Sequence, residues 1–378
     1  MQENGLVAIV KRDCPTCVMV APVLQQLEAK GALTVYSQDD PGFPEGMNVA
    51  DDTALDTSYR LDVEIVPTLV RFQDGTEVER TYGWDRAAWE GLTGRDDLGV
   101  DLPAFKPGCG ALNQEQDRLA ELRIRHGDTP MVSRLVPLGA KEDAIEACFE
   151  RGWSDGLPVV PPTQERVLAM LEGTGRAADE VMGLMPSNLD TCTVEKVAIN
   201  AVMAGCRPEY MPVVLAAIEA VLDEDYCLHG TLATTRFVGP VVIVNGPIAK
   251  QIDMNGKGNA LGQGNRANAT IGRAVQLAVR NIGGGKPRGV DRATLGNPGK
   301  LSYCFCEDEE GSAWEPLTVD RGLAAGANAV TVFAGHGLQG VIDDKARTPE
   351  ALAETFASCL RSVDNIKKFP GPDCLLVV

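Results

Sequence analysis

Two cysteines separated by two residues, Cys14-Pro15-Thr16-Cys17, stand where a short apolar run over residues 6–10 gives way to an amphipathic stretch over residues 18–30. A strand that feeds directly into a helix sets the first cysteine at the helix N-terminus. There, unpaired backbone N–H groups and the helix dipole favour a thiolate over a thiol. Pro15 suits an early helical position because the N–H it lacks would have had no partner. Lys11 and Arg12 place positive charge close by. The pattern predicts Cys14 as a nucleophile and Cys17 as the thiol that resolves it.

A second apolar run, residues 33–37, is followed after a polar loop by two β-rich runs, residues 63–72 and 76–80, joined at Asp74-Gly75. That dipeptide between such runs is a hairpin signal. The CxxC pair, Val66-Pro67-Thr68 and the hairpin, in this order, resemble the thioredoxin superfamily over residues 1–95. The resemblance implies a thioredoxin-like domain in which Pro67 is cis and packs against the active-site pair. About one X–Pro bond in twenty is cis in folded proteins, so this expectation comes from the resemblance. Asp13 stands where the best-known members have Trp, Pro-Thr replaces Gly-Pro between the cysteines, and the first strand has no buried acid at the family's usual place. A zinc knuckle would need two further ligands nearby, and this stretch offers none.

The chain has 378 residues, 44% of them apolar, enough for two or three folded domains. Its net charge of −18, from 53 acidic against 35 basic residues, argues against nucleic acid or an anionic membrane surface as partner. The first residues lack the basic n-region of a secretory signal, and no stretch approaches the roughly 18 apolar residues of a membrane span, so a cytoplasmic location is expected. Eleven cysteines at irregular spacing make a poor disulfide framework, and no second CxxC indicates a metal ribbon or cluster.

Residues 96–140 read as a connector, with Lys106-Pro107-Gly108-Cys109-Gly110 and a polar helical stretch at 113–126. Glycines on both sides are expected to make Cys109 mobile and accessible, which would let it meet Cys14; an incidental loop cysteine is the plainer reading. His126 is expected to be solvated. Residues 141–378 alternate helical periodicity (141–151, 164–173, 194–204, 209–223, 267–282, 349–363) with β-rich runs (237–245, 301–306, 329–333, 375–378). The expected fold class is therefore α/β: a thioredoxin-like N-terminal domain followed by a larger layered α/β domain whose strand order the pattern does not set.

Four clusters in the larger part carry candidate chemistry. Trp153-Ser154-Asp155-Gly156-Leu157-Pro158-Val159-Val160-Pro161-Pro162-Thr163 is a loop stiffened by prolines, suited to facing a ligand or to a structural turn. Ala204-Gly205-Cys206-Arg207-Pro208-Glu209-Tyr210 places Cys206 at a helix–helix junction beside Arg207, as a candidate low-pKa thiol or an apolar filler. Residues 253–273 are rich in glycine and precede a helix; Lys257, Gly262, Gly264, Asn265, Arg266 and Arg273 are expected to hold a carboxylate or phosphate. Cys304-Phe305-Cys306-Glu307 ends a strand with an acid, and Glu307, His229 and His336 are candidates for proton transfer or, more remotely, for a metal site.

Residues 153–163 and 193–210 resemble a bacterial family of undetermined function, and that likeness implies no activity. Fusion to a thiol-exchange domain raises the effective concentration of one part for the other to roughly millimolar. The leading expectation is a cytoplasmic thiol–disulfide oxidoreductase. Cys14 and Cys17 would pass electrons to a thiol further along the chain, Cys206 first, after reaction with a small anionic substrate. A protein disulfide or a reductase would be the partner, and no cofactor is implied. The alternatives are a thiol-dependent or metal-assisted lyase or hydrolase kept reduced by the first domain, and a non-enzymatic carrier of a metal or sulfur species.

Overall fold

The structure is a computed structural model that describes residues 4–29, 31 and 33–363. Lys30, Cys374 and the β-rich run at 375–378 lie outside the described residues. The protein is mixed α/β with open sheets. It divides into two compact units, one running to Met182 and including Thr191–Leu215, the other comprising Gly183–Asp190 and the chain from Ala216 onward. Residues 141–182 and 191–215 thus cluster with the N-terminal part rather than with the C-terminal part of the chain.

The first unit opens with β1 (Gly5–Val10), α1 (Pro15–Glu28), β2 (Leu33–Ser37), β3 (Val49–Asp51) and the short α2 (Asp56–Arg60). Next come β4 (Ile65–Val66), β5 (Thr68–Gln73), β6 (Thr76–Tyr82), β7 (Trp84–Asp85) and α3 (Arg86–Thr93). A five-stranded sheet runs in the order β3-β2-β1-β5-β6. Its first three strands are parallel, while β5 is antiparallel to both β1 and β6. The β5–β6 hairpin turns at Asp74 and Gly75, both at positive φ, as the Asp-Gly signal requires.

Ala8, Ile9 and Val10 of β1 are fully buried, as are Leu69 and Val70 of β5, and α1 covers them with Val20, Val23, Leu24 and Leu27. Trp84 and Trp89, both fully buried, meet edge-on at 5.2 Å. Their indole N–H groups donate to the carbonyls of Pro103 (2.6 Å) and Gly83 (3.0 Å), which satisfies the one polar atom each brings into the core. The Val66–Pro67 peptide bond is cis.

The segment read as a connector is docked on this sheet. It forms β8 (Phe105–Lys106), paired with β7, and β9 (Cys109–Gly110), paired with β4. Leu98 and Ala111 belong to the core, and Leu102 and Cys109 pack against it. A buried polar chain fastens its far end. Gln38 Nε2 donates to Ser58 Oγ (2.8 Å) and Asn113 Oδ1 (3.0 Å), Asn113 Nδ2 donates to the Val63 carbonyl (2.8 Å), and Leu112 N donates to Gln38 Oε1 (3.0 Å).

After this come α4 (Gln116–His126), α5 (Ala144–Glu150), α6 (Gln164–Leu171), a two-stranded ribbon of β10 (Val181–Met185) and β11 (Asp190–Thr193), then α7 (Val194–Ala204) and α8 (Met211–Leu222). The helix α6 packs on α7 and on α4. His126 is not simply solvated. Its ring stacks on Tyr59 at 4.9 Å, and Nε2 lies 2.8 Å from Asp56 Oδ1.

The second unit contains α9 (Leu228–Ala233), β12 (Gly239–Asn245), α10 (Pro247–Gln251), α11 (Arg266–Asn281), β13 (Cys304–Cys306), α12 (Leu317–Asp320), β14 (Ala329–Gly335) and α13 (Pro349–Val363). Its sheet runs β13-β12-β14, with β12 parallel to β13 and antiparallel to β14. Strand alternation sends Val241, Ile243 and Phe305 to one face, where they pack with Tyr303, Leu317 and Phe333. The helix α11 comes close to β13 at Gly272, where a Cβ would lie 2.6 Å from Ser302 Oγ and 2.7 Å from Tyr303 N. Among the described residues no helix is long and apolar enough to cross a membrane.

Candidate active site

Cys14 is the N-cap of α1, in extended conformation (φ −143°, ψ 111°), with Pro15 at the first helical position. Its carbonyl accepts the first helical hydrogen bond from Val18 N (3.0 Å), and its Sγ accepts one from Cys17 N (3.3 Å). Sulfur thus takes the capping role that an oxygen fills in Ser or Asp, using donors the helix leaves unpaired. Cys14 Sγ also lies 3.6 Å from the carbonyl of Val66, the residue before cis-Pro67.

These neighbours make an unequal pair of thiols. The Cys17 side chain is the first of the neighbours that lower the Cys14 pKa to about 5; the Cys109 thiol and the backbone N–H groups of Cys17 and Thr16 act in the same sense, against the opposing effect of burial. Cys17 moves strongly the other way, first because it is buried and then because its neighbour is the thiolate. Arg12 contributes less than its place in the sequence promises. Its guanidinium pairs with Asp40 (2.5 Å) and Glu45 (2.7 Å) and lies over the Phe43 ring, so two acids offset its charge.

Cys14 is 1% exposed and Cys17 fully buried. The cover is the docked segment. Thr16 Oγ1 donates to the Pro107 carbonyl (2.7 Å), Lys106 Nζ reaches the Pro15 carbonyl (3.4 Å), and Cys109 stands opposite Val66 in the β4–β9 pair. Gly108 serves this close approach and does not loosen the loop. A Cβ there would lie 2.4 Å from Ile65 Cγ2 and 2.5 Å from the Val66 oxygen. Gly83, at φ +62°, has the same role, since a Cβ on it would meet Gly108 N at 2.7 Å. Cys14, Cys17 and Cys109 are all free thiols, and Cys109 is the most exposed of the three.

The remaining candidates fall in both units. Cys206 is 6% exposed, just past the α7 C-cap Gly205, with its N–H bonded to the Ala201 carbonyl; a 3₁₀ turn, Pro208–Tyr210, precedes α8. Arg207 extends toward Glu209 at 3.9 Å. The stiff loop at 153–163 closes on itself. Ser154 Oγ donates to the Leu157 carbonyl (2.7 Å) and accepts from Gly156 N (2.9 Å), while Val160 N donates to the Met203 carbonyl (3.1 Å).

In the second unit, the loop before α11 is held by asparagines. Asn265 caps the helix through Asn268 N (2.9 Å), and buried Asn268 bonds Asn255 and Ala260. Of the residues expected to hold an anion, Gly264 is at φ +117°, Gly262 sits against the Asn259 side chain, and Lys257 Nζ stands 3.9 Å from Asp308. Arg266 opens α11 and Arg273 follows on the same helix.

Glu307 and His336 lie at opposite ends of β12. Glu307 N bonds the Val244 carbonyl, whereas His336 follows Gly335, the partner of Gly239, so about 17 Å of strand separates them. Glu307 accepts from Asn245 Nδ2 (2.6 Å) and Leu317 N (2.9 Å), His336 packs near Phe237, and His229 is exposed on α9. The structure therefore does not gather Glu307 and His336 into one proton-transfer or metal site. Among the described residues no group of three or more His, Cys, Asp or Glu side chains is arranged to hold a metal ion.

The residue that sequence reasoning undervalued is Cys109, whose signal was the apolar Leu98, Leu102 and Ala111 around it. No protein-family model matches the chain, and no curated protein sequence matches it.

Proposed function

We propose that this chain is a thiol–disulfide oxidoreductase whose N-terminal sheet is a thioredoxin-like domain with Cys14 as nucleophile. The observation that carries the reading is the Cys14 sulfur at the α1 N-terminus, accepting from Cys17 N at 3.3 Å, with a pKa of about 5 beside a protonated Cys17. At neutral pH such a sulfur is ionised and is a good leaving group, the two properties exchange needs. The β2-β1-β5-β6 order, the CxxC at the strand–helix junction and cis-Pro67 beside it support the thioredoxin-like assignment.

The chemistry proceeds by exchange. The Cys14 thiolate attacks one sulfur of a disulfide, a thiolate leaves, and a mixed disulfide forms. Cys17, on losing its proton to the leaving group, attacks Cys14 Sγ and releases the second thiol, closing the Cys14–Cys17 disulfide. Two electrons pass to the substrate. Dithiothreitol-driven reduction of insulin, followed by turbidity, tests the proposal. Wild-type protein should accelerate it, Cys14→Ser should return it to the uncatalysed rate, and Cys206→Ser should leave it intact. A Cys14→Ser protein as active as wild type would refute the assignment.

A further inference from the structure

We infer that Cys109 is a third redox thiol of the site: it forms a disulfide with Cys14 and is the sulfur through which outside disulfides and thiols exchange with the buried Cys14–Cys17 pair. The inference rests on the exchange chemistry proposed for Cys14 and adds a partner that chemistry does not require.

Three independent features place Cys109 there. The first is backbone pairing: β9 is antiparallel to β4, with Val66 opposite Cys109 and Ile65 opposite Gly110, and Ala111 N extends the ladder to the Glu64 carbonyl (2.9 Å). Since Cys14 Sγ is 3.6 Å from the Val66 carbonyl, the residue facing Val66 is delivered to the same sulfur. The second is packing: Cys109 lies against the core cluster that contains Cys14 and Cys17. In keeping with that proximity, the Cys109 pKa is raised, by burial first and then by Cys14, and Cys109 helps to hold that of Cys14 down. The third is the fastening of the segment on both sides of Cys109, through Thr16 to Pro107 and through Asn113 to Val63 and Gln38.

Accessibility then decides the order of events. Cys14 is 1% exposed and Cys17 fully buried, whereas Cys109 is part-exposed. An external disulfide RSSR therefore meets Cys109 first. The Cys14 thiolate acts as general base: it takes the Cys109 proton as Cys109 Sγ attacks RSSR, one RS⁻ leaves, and Cys109–S–S–R forms. Cys14 gives its proton to the departing RS⁻ and attacks Cys109 Sγ, and the second RS⁻ leaves as the Cys14–Cys109 disulfide closes. RSSR has gained two electrons and the two cysteines have lost them. Attack of Cys17 on Cys14 Sγ next releases Cys109 as a thiolate, which takes the Cys17 proton. This moves the disulfide to Cys14–Cys17 with no further change in oxidation state.

The test uses full-length reduced protein, oxidised glutathione as probe, quenching with N-ethylmaleimide, and tryptic mapping. Trypsin places Cys14 in residues 13–30 and Cys109 in residues 96–118, so a disulfide between these peptides in a Cys17→Ser protein has one assignment. That cross-link should be the main oxidised species in Cys17→Ser and in Cys17→Ala, and should appear transiently in rapidly quenched wild type. Cys109→Ser should slow formation of the Cys14–Cys17 disulfide by about tenfold or more, because the outside thiol loses its accessible partner. The inference is overturned, with the oxidoreductase reading intact, if Cys14 in Cys17→Ser is recovered as a glutathione mixed disulfide while Cys109 carries N-ethylmaleimide. If Cys14 enters no disulfide in any of these proteins, both readings fall.

Discussion

The ionisation of Cys14 should be readable as stability. In the reduced native site its pKa is about 5, against an ordinary 9.0. At about 1.4 kcal/mol per pH unit, this makes the native site favour thiolate over thiol by on the order of 5 kcal/mol more than the unfolded chain does. The sign follows from proton counting. Between the two values the unfolded chain keeps a proton that the native site has lost, so stability rises with pH, is fully present above the unfolded value and disappears as pH falls through about 5. Cys17 does not blur this window. Its native pKa is raised, so its contribution is lost only at pH values above those at which unfolded thiols ionise. From pH 5.5 to 7.5 the reduced wild type should gain roughly 3 kcal/mol from Cys14 alone. Cys14→Ser removes that gain. Urea unfolding of both proteins under reductant at the two pH values gives the difference, and thiolate absorbance at 240 nm gives the midpoint directly. Equal pH dependence in the two proteins, or a midpoint near that of a free thiol, would refute the reasoning.

Gly108→Ala puts a methyl group within 2.5 Å of the Val66 oxygen, a backbone atom that cannot turn aside, so β9 should be displaced at a cost of about 1–3 kcal/mol. Thermal unfolding should occur at lower temperature and alkylation of Cys14 by iodoacetamide should accelerate; unchanged values for both would contradict the role given to this glycine. Asn268→Ala removes bonds to Asn255 N (3.1 Å), the Asn255 carbonyl (2.8 Å) and the Ala260 carbonyl (3.0 Å). It should cost about 1–3 kcal/mol and speed limited proteolysis between residues 256 and 264, whereas an unaltered cleavage rate would show that the loop is held by other means.

What could be read from the sequence was whatever local chemistry decides. A CxxC between a strand and a helix makes its first cysteine the N-cap, and Asp74-Gly75 turns the hairpin, because in each case the backbone geometry is settled within a few residues. The long amphipathic helices α7, α11 and α13 fell within a residue of the ranges their periodicity predicts. Chemistry shared between distant segments was harder to read. Glu307 and His336 are both beside strand ends, but only the antiparallel pairing of β14 with β12 puts them at opposite ends of the sheet, and hydrophobic pattern carries no strand order.

Cys109 shows where the ambiguity lies in physical terms. Glycine lacks a Cβ, which permits two opposite outcomes: a chain free to move, or a chain able to pack backbone against backbone. Gly108 read in isolation favours the first, and its 2.4 Å clearance to Ile65 Cγ2 belongs to the second. The discriminating signal is in the residues around it. A mobile linker has no reason to bury apolar side chains, yet Leu98 and Ala111 are in the core and Leu102 packs against it. Asn113, 1% exposed, satisfies the Val63 carbonyl, an acceptor that water does not reach. Apolar residues spaced through a proline- and glycine-rich stretch, followed by a polar residue that can bond backbone, therefore mark a segment docked along a strand edge. A cysteine within such a segment is held at whatever that edge presents, and here the edge presents the carbonyl of Val66 and the sulfur of Cys14.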